Sequence, residues 1–277
     1  MKTRITIAIA TLLAFVQCTE RIDLDLNKNE NQRLVVDGWI TSLARPQTVR
    51  LPLTTDYFQN AAAPKATGAT VSITDGSITF PLTENEPGLY QTAANVAGEP
   101  GKTYTLEIEY DGATYTASSF MRPAPPIDSI NYAIDEDELD NPDEDNDGKL
   151  WHELFFYAQE PAGEGDHYYF KTYLNGDSKS DTLRNNGFVS DDGVDGSYIG
   201  GISYDYVEVA DGDSVAAEML TISKEAYEYF NAVMLETDWR GGIFDSPPAN
   251  IPTNISNGAL GFFSASAISQ SHVIISL

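Results

Sequence analysis

Residues 103–119 constrain the fold more than any other stretch of this chain. Tyr104, Leu106, Ile108 and Tyr110 alternate with Thr105, Glu107 and Glu109, and Asp111-Gly112 then turns the chain into Ala113–Ser119. Apolar residues at every second position put one face of a strand in a core and the other in water. An Asp-Gly pair between two such runs supplies the positive backbone angles of a two-residue hairpin turn. A helix cannot use this pattern, because its period would scatter the four apolar side chains around the axis.

The same alternation extends over residues 33–121. Leu34–Ile40 and Val49–Leu53 are expected strands, with Pro52 marking the second as an edge or a bulge. Ala69–Thr74 and Ser77–Leu82 flank the turn pair Asp75-Gly76, and Leu89–Gln91 adds a brief strand. About seven short strands with frequent turn signals predict an immunoglobulin-like β-sandwich over 33–121. Arg122-Pro123-Ala124-Pro125-Pro126 follows as a stiff, extended linker over 122–126. Beyond it, residues 127–277 are expected to form a second, acidic, β-rich domain. Ile130–Ile134, Leu154–Ala158, His167–Leu174, Ser203–Val209 and Val215–Ile222 are its expected strands, and Gly258–Leu277 is expected to close it with two more. One main α-helix is predicted over about 223–238. Ser223 caps it, Glu225 suits its first turn, and Ala226, Phe230, Val233 and Met234 form one apolar stripe. The expected class is mostly β.

The formal net charge is −26, and residues 127–277 carry 29 of the 42 acidic residues against 6 of the 16 basic ones. Such a surface repels nucleic acid and anionic membranes. It suits solubility, cations or a basic partner surface.

The N-terminus gives an address. Met1-Lys2-Thr3-Arg4 is basic, residues 5–16 are apolar, and the chain's single cysteine is Cys18. The apolar run is shorter than the roughly 20 residues of a spanning helix and fits a signal-peptide core. Residues 1–17 therefore read as a signal peptide, with Cys18 acylated as in a lipoprotein and residues 18–32 as lipidated cysteine and polar tether. Phe15 and Gln17 stand where such signals usually carry Leu and a small residue. A lone cysteine can form no intrachain disulfide, so lipidation gives it a use. The expected contact with membrane is through that lipid.

Local motifs offer little catalysis. Asp143-Glu144-Asp145-Asn146-Asp147-Gly148 matches the start of a calcium loop, in which alternate carboxylates converge on one hard cation. Position twelve of that pattern is Leu154, with Glu153 one short, so Asp143, Asp145, Asp147 and Glu153 are the candidate calcium ligands. Calcium is the one candidate cofactor, and none is required. Asp191–Gly196 is a second acidic loop, assigned no metal. His152, His167 and His272 are dispersed, and no zinc-protease, nucleophile-elbow, phosphate-loop or dinucleotide motif occurs. Trp39, Trp151 and Trp239 are expected in core or interface packing, with a sugar or peptide site as the alternative. No catalytic residue is assigned, and the chain is expected not to be an enzyme.

Three segments carry a family resemblance: Leu34–Thr41, Ser223–Tyr229, and Phe244–Phe263 with its Pro252-Thr253-Asn254-Ile255, Asn257-Gly258 and Gly261-Phe262-Phe263. With the cysteine before them, they resemble domain-of-unknown-function family 4249. The resemblance implies an outer-membrane lipoprotein of Bacteroidota type, in the company of TonB-dependent receptors, and implies no catalytic residue. Glu20, Asp23 and Asp25 loosely match the acidic signal that accompanies export to the cell surface in such proteins. The expected function is a lipid-anchored, non-enzymatic accessory or ligand-binding component of a TonB-dependent uptake system, meeting a receptor and an unidentified small ligand. The alternatives are an adhesion or structural envelope protein, and an extracytoplasmic hydrolase with an acidic site.

Overall fold

The alternation becomes strands in the first half: β1 (Val35–Thr41), β2 (Thr48–Arg50), β3 (Thr70–Thr74), β4 (Thr79–Glu86), β5 (Leu89–Gln91), β6 (Thr103–Tyr110) and β7 (Ala113–Phe120). The second half forms β8 (Ile127–Ile134), β9 (Leu150–Gln159), β10 (His167–Leu174), β11 (Asp177–Ser178), β12 (Phe188–Ser190), β13 (Tyr198–Val209) and β14 (Ser214–Ile222). Helix α1 (Lys224–Asp238), β15 (Leu260–Ser266) and β16 (Ile268–Ile274) complete it. The computed structural model describes residues 32–55, 62–135, 149–179, 183, 186–238 and 250–276. The class is mostly β, as expected.

The first sheet runs in the order β15-β1-β2-β5-β4-β3-β6-β7. Asp111 and Gly112 take φ of 50° and 74°, the hairpin turn expected from their sequence. The path folds back on itself as a β-sandwich around Ile40, Leu51, Ile73, Tyr104, Leu106, Ile108 and Phe263. Residues 253–256 join its two ends. Asn254 acts as a peptide group: its amide donates to the Phe263 carbonyl at 2.8 Å and its oxygen accepts from the Phe263 N–H at 3.0 Å. Ser256 donates from its N–H to the Thr116 carbonyl on β7 at 2.8 Å. The seam demands glycine at 261, where φ is +91° and a Cβ would lie 2.0 Å from the Val36 carbonyl oxygen.

In the second half, the sheet β13-β9-β8 lies against the sheet β11-β10-β14-β16, with β12 paired to β10. Leu154, Phe156, Phe170, Val207, Val209 and Met219 fill the space between. Helix α1 starts where Ser223 Oγ accepts from the Ala226 N–H at 3.2 Å. Its Ala226 and Phe230 bury against Tyr169, Leu220, Ile222 and Phe262.

The proline segment does not separate two independent domains. β15 leaves the second half and pairs in parallel with β1 along Val35↔Leu260 to Thr41↔Ser266, whereas β16 pairs with β14. The two closing strands expected at 258–277 therefore belong to different sheets. The Arg122 carbonyl accepts from the Thr221 hydroxyl at 2.9 Å, so the 122–126 connector is docked rather than free. Strand alternation is local and does not encode which distant strand will be a neighbour. Arg33–Leu277 forms one compact unit.

Candidate functional site

The sheet β13-β9-β8 has one face in the core and one in solvent. Strand β9 turns His152, Leu154, Phe156 and Ala158 inward, all buried. Trp151, Glu153, Phe155, Tyr157 and Gln159 consequently point outward. Across the ladder to β13, Trp151 stands opposite Glu208, Glu153 opposite Tyr206, and Phe155 opposite Ser203. Tyr157 meets Gly200, and Gln159 meets Tyr198. On the other side, β8 lays exposed Ala133, Asn131 and Ser129 beside Glu153, Phe155 and Tyr157. Trp151 is 42 % exposed, Tyr206 49 % and Tyr198 58 %.

A groove of about 380 Å³ lies at the Trp151 end of this face, lined by Lys149, Trp151, Lys179, Asp205, Tyr206, Val207 and Glu208. Burial raises the Asp205 carboxyl above its ordinary range, and the Thr172 hydroxyl donates to it. The Tyr206 hydroxyl donates to Glu153 at 2.9 Å, which holds its phenol proton more tightly than usual. Rings, carboxylates and two ammonium groups together can bind a ligand that offers both apolar faces and hydrogen-bonding groups.

A second concavity of about 280 Å³ sits under α1, among Val36, Trp39, Tyr229, Phe230, Val233 and Phe262. Trp39 stacks on Phe230 with centroids 5.9 Å apart and planes 8° apart. The Lys171 ammonium lies 5.1 Å from the Trp39 ring centre, and burial lowers its pKa.

Three carboxylates converge elsewhere. One oxygen each from Glu160, Asp166 and Asp191 lies within 4.8 Å of the others. Glu160 and Asp191 are both 2 % exposed. Tyr168 donates to Glu160 at 2.8 Å, the Gly165 N–H to Asp191 at 2.9 Å, and Arg122 to Asp166 at 3.1 Å. Burial, reinforced by Asp166, Asp191 and Asp195, raises the Glu160 carboxyl. The donor set suits a hard cation, but three side chains fall short of the roughly six to eight oxygens calcium takes. Each carboxylate also holds a protein donor, so the cluster ties together the ends of β9, β10 and β12.

A family model described as "Domain of unknown function (DUF4249)" matches residues 19–272. The chain belongs to that family. No curated protein matches the sequence. Among solved structures, it is similar to a two fibronectin type-III domain segment of chicken tenascin, with 12 % identity and a TM-score of 0.18, covering 68 % of this chain and 88 % of that one. A 1.5-MDa bacterial ice-binding adhesin is another, with 13 % identity, a TM-score of 0.19 and coverage of 88 % and 64 %.

The described residues of the segments that carried the DUF4249 resemblance include several with packing or hydrogen-bonding roles. Asp37 accepts from the Trp39 indole at 2.9 Å, and a Cβ at Gly38 would stand 3.1 Å from the Phe263 ring. Of the candidate calcium ligands, Glu153 lies in β9 with Tyr206 as its partner. Asp143, Asp145 and Asp147 lie outside the described residues, as do Cys18 and Trp239. Trp39 is packed, as expected, while Trp151 is exposed. Asp191, read as part of a loop without metal ligands, instead joins Glu160 and Asp166. The acidic composition carried no signal for that meeting, because the three residues come from separate strand ends.

Proposed function

We propose that this protein is a lipid-anchored envelope protein, held through Cys18 at the outer membrane and displayed at the cell surface, where it serves as a non-enzymatic binding accessory of a TonB-dependent uptake system. The observation that carries the binding role is the outward face of β9 and β13, where Trp151, Tyr206 and Tyr198 are exposed beside hydrogen-bonding side chains. Large exposed rings repeated along one sheet face offer apolar area that an interaction would cover. The basic start, apolar run and cysteine of residues 1–18 support the address. Two of the shifted groups already have protein partners: Tyr168 donates to Glu160, and Thr172 donates to Asp205.

The reading is tested in native outer membranes. The wild-type protein should sediment with that membrane, and Cys18→Ala should release it. Mild solubilisation and affinity purification should recover a TonB-dependent β-barrel receptor in stoichiometric amount. Repeated purification of the protein alone overturns the accessory role.

A further inference from the structure

We infer that the outward face of β8, β9 and β13 is a platform for an uncharged polysaccharide chain, a step that deepens the proposed binding role and rests on it. Four observations lead to that ligand.

The first is the composition of each cross-strand pair. Every pair joins one aromatic ring to a polar residue or to glycine: Trp151 to Glu208, Tyr206 to Glu153, Phe155 to Ser203, Tyr157 to Gly200, and Tyr198 to Gln159. A sugar ring has the complementary surface. Its C–H faces stack on the electron-rich face of an aromatic ring, and its edge hydroxyls need donors and acceptors beside that ring. A protein partner would favour a contiguous dry patch that excludes water around its anchors. Here a polar group interrupts the rings at every step.

The second is spacing. Residues two apart on β9 are about 6.8 Å apart along the strand. Phe155 and Tyr157 are neighbours on that scale, with Trp151 two steps further. A chain of sugar rings laid along such a row meets Tyr157, Phe155 and Trp151 in turn, with Glu153 between the last two.

The third is Gly200. Its φ is not in the left-handed region, and a Cβ there would meet only the Tyr198 ring, at 4.0 Å. Neither backbone angle nor packing requires glycine, although glycine weakens a strand interior. The neighbouring Gly201 differs, with φ +91° and a Cβ position 2.8 Å from the Tyr157 hydroxyl. What glycine does at 200 is keep the strand surface beside the Tyr198 ring open, which suits close approach by another molecule.

The fourth is charge. Glu153 and Glu208 sit on the face itself, and residues 127–277 carry 29 acidic against 6 basic residues. Lys149 and Lys179 balance Asp205 and Glu208 in the groove itself, and the surplus of acid across the rest of this half disfavours an anionic glycan while leaving an uncharged one unaffected. The groove of about 380 Å³ between Trp151 and Tyr206 then offers a place for one unit at the end of the bound stretch.

Native affinity electrophoresis of the detergent-solubilised full chain tests this. The gels contain a mixed-linkage β-glucan, a galactomannan or a neutral arabinoxylan, with polygalacturonate as the anionic control. At least one neutral polysaccharide should retard the wild type, and polygalacturonate should not. The double variant Trp151→Ala/Tyr206→Ala should bind at least tenfold more weakly. Gly200→Val, which puts a side chain on the open strand surface beside Tyr198, should do the same with an unchanged melting temperature. No retardation by any of the three neutral polymers, or undiminished binding by both variants, overturns the inference. So does a sedimentation result in which the wild type is a dimer and Trp151→Ala a monomer, because the face would then be a self-interface. Co-purification of the receptor is scored on the same samples. Receptor recovered without glycan binding defeats this inference alone. Glycan binding without a receptor defeats the uptake reading alone.

Discussion

Arg45→Ala should destabilise the fold by about 2–3 kcal/mol, because Arg45 is the charged partner of a carboxylate that has little access to water. Glu218, in the middle of β14, is 4 % exposed. Arg45, in the β1–β2 connection of the first sandwich, donates to it from both terminal guanidinium nitrogens, at 2.9 and 3.2 Å. The Tyr173 hydroxyl donates to Glu218 at 3.1 Å and the Gln270 amide at 2.9 Å. Removing one partner of a fully buried ion pair costs about 3–5 kcal/mol. Two terms reduce that range here. The Arg45 side chain is 33 % exposed, so solvent already screens part of the attraction. Tyr173 and Gln270 also remain to solvate the stranded carboxylate. The Glu218→Gln background removes the buried charge, and there Arg45→Ala should cost no more than about 1 kcal/mol, giving a coupling of at least about 1–2 kcal/mol.

Urea unfolding followed by tryptophan fluorescence and circular dichroism measures both quantities. Wild type and variants should each show one coincident transition, because β15 and the Arg45–Glu218 pair bind the two halves into one unit. A loss below about 0.5 kcal/mol for Arg45→Ala would place the pair among screened surface contacts and refute the reasoning. An equal loss in both backgrounds would refute the charge argument. Two well-separated transitions in the wild type would refute the single unit.

Asn254→Ala should cost about 2–4 kcal/mol in the same assay, because it strands the N–H and carbonyl of Phe263, a residue with no exposed surface; a loss under about 1 kcal/mol would remove Asn254 from the seam. Glu160→Gln should become progressively more stable than wild type as the pH rises. The Glu160 carboxyl is raised in the fold above its ordinary value of 4.5, so the native state favours its protonated form. Wild-type stability from this group is therefore complete below the unfolded pKa and declines as the pH rises through the folded one. The variant keeps an acceptor for Tyr168 and does not titrate. Melting temperatures measured from about pH 4 to about pH 8 should diverge upward, and a constant gap would show that the cluster carries no strain.

Local chemistry was legible and distant pairing was not. The 103–120 hairpin, the Ser223 cap and the apolar stripe of α1 depend on neighbours within a few residues, and all three are present. Gly261, just inside the start of β15, has the local look of a turn glycine. Its actual constraint is the Val36 backbone, 225 positions earlier, which no local pattern contains. The start of β13 was missed because Gly200-Gly201 resembles a loop, whereas it forms a bulge inside a strand. Trp151 was expected in core or interface packing and is exposed instead; both faces of β9 carry large apolar residues, so alternation alone cannot say which face is inside. The answer depends on the register with β13 and on the sheet that covers His152, Leu154 and Phe156.

That ambiguity separates what makes this chain a family member from what would let it recognise a ligand. Asp37, Gly38, Trp39, Asn254, Gly261 and Phe263 all meet along the β1–β15 seam, and each has a packing or hydrogen-bonding reason for its identity. Residues so constrained cannot change without cost to the fold. The outward residues of β9 and β13 have the opposite character. Trp151, Tyr206 and Tyr198 are exposed, and Gly200 is a glycine that neither backbone nor packing requires. A surface substitution that touches no packed group usually changes stability by less than about 0.5 kcal/mol. This face could therefore change its chemistry while the seam stays fixed. Two proteins sharing the seam could bind different ligands, so specificity should be sought in the residues opposite and between the rings rather than in the segments by which the family is recognised.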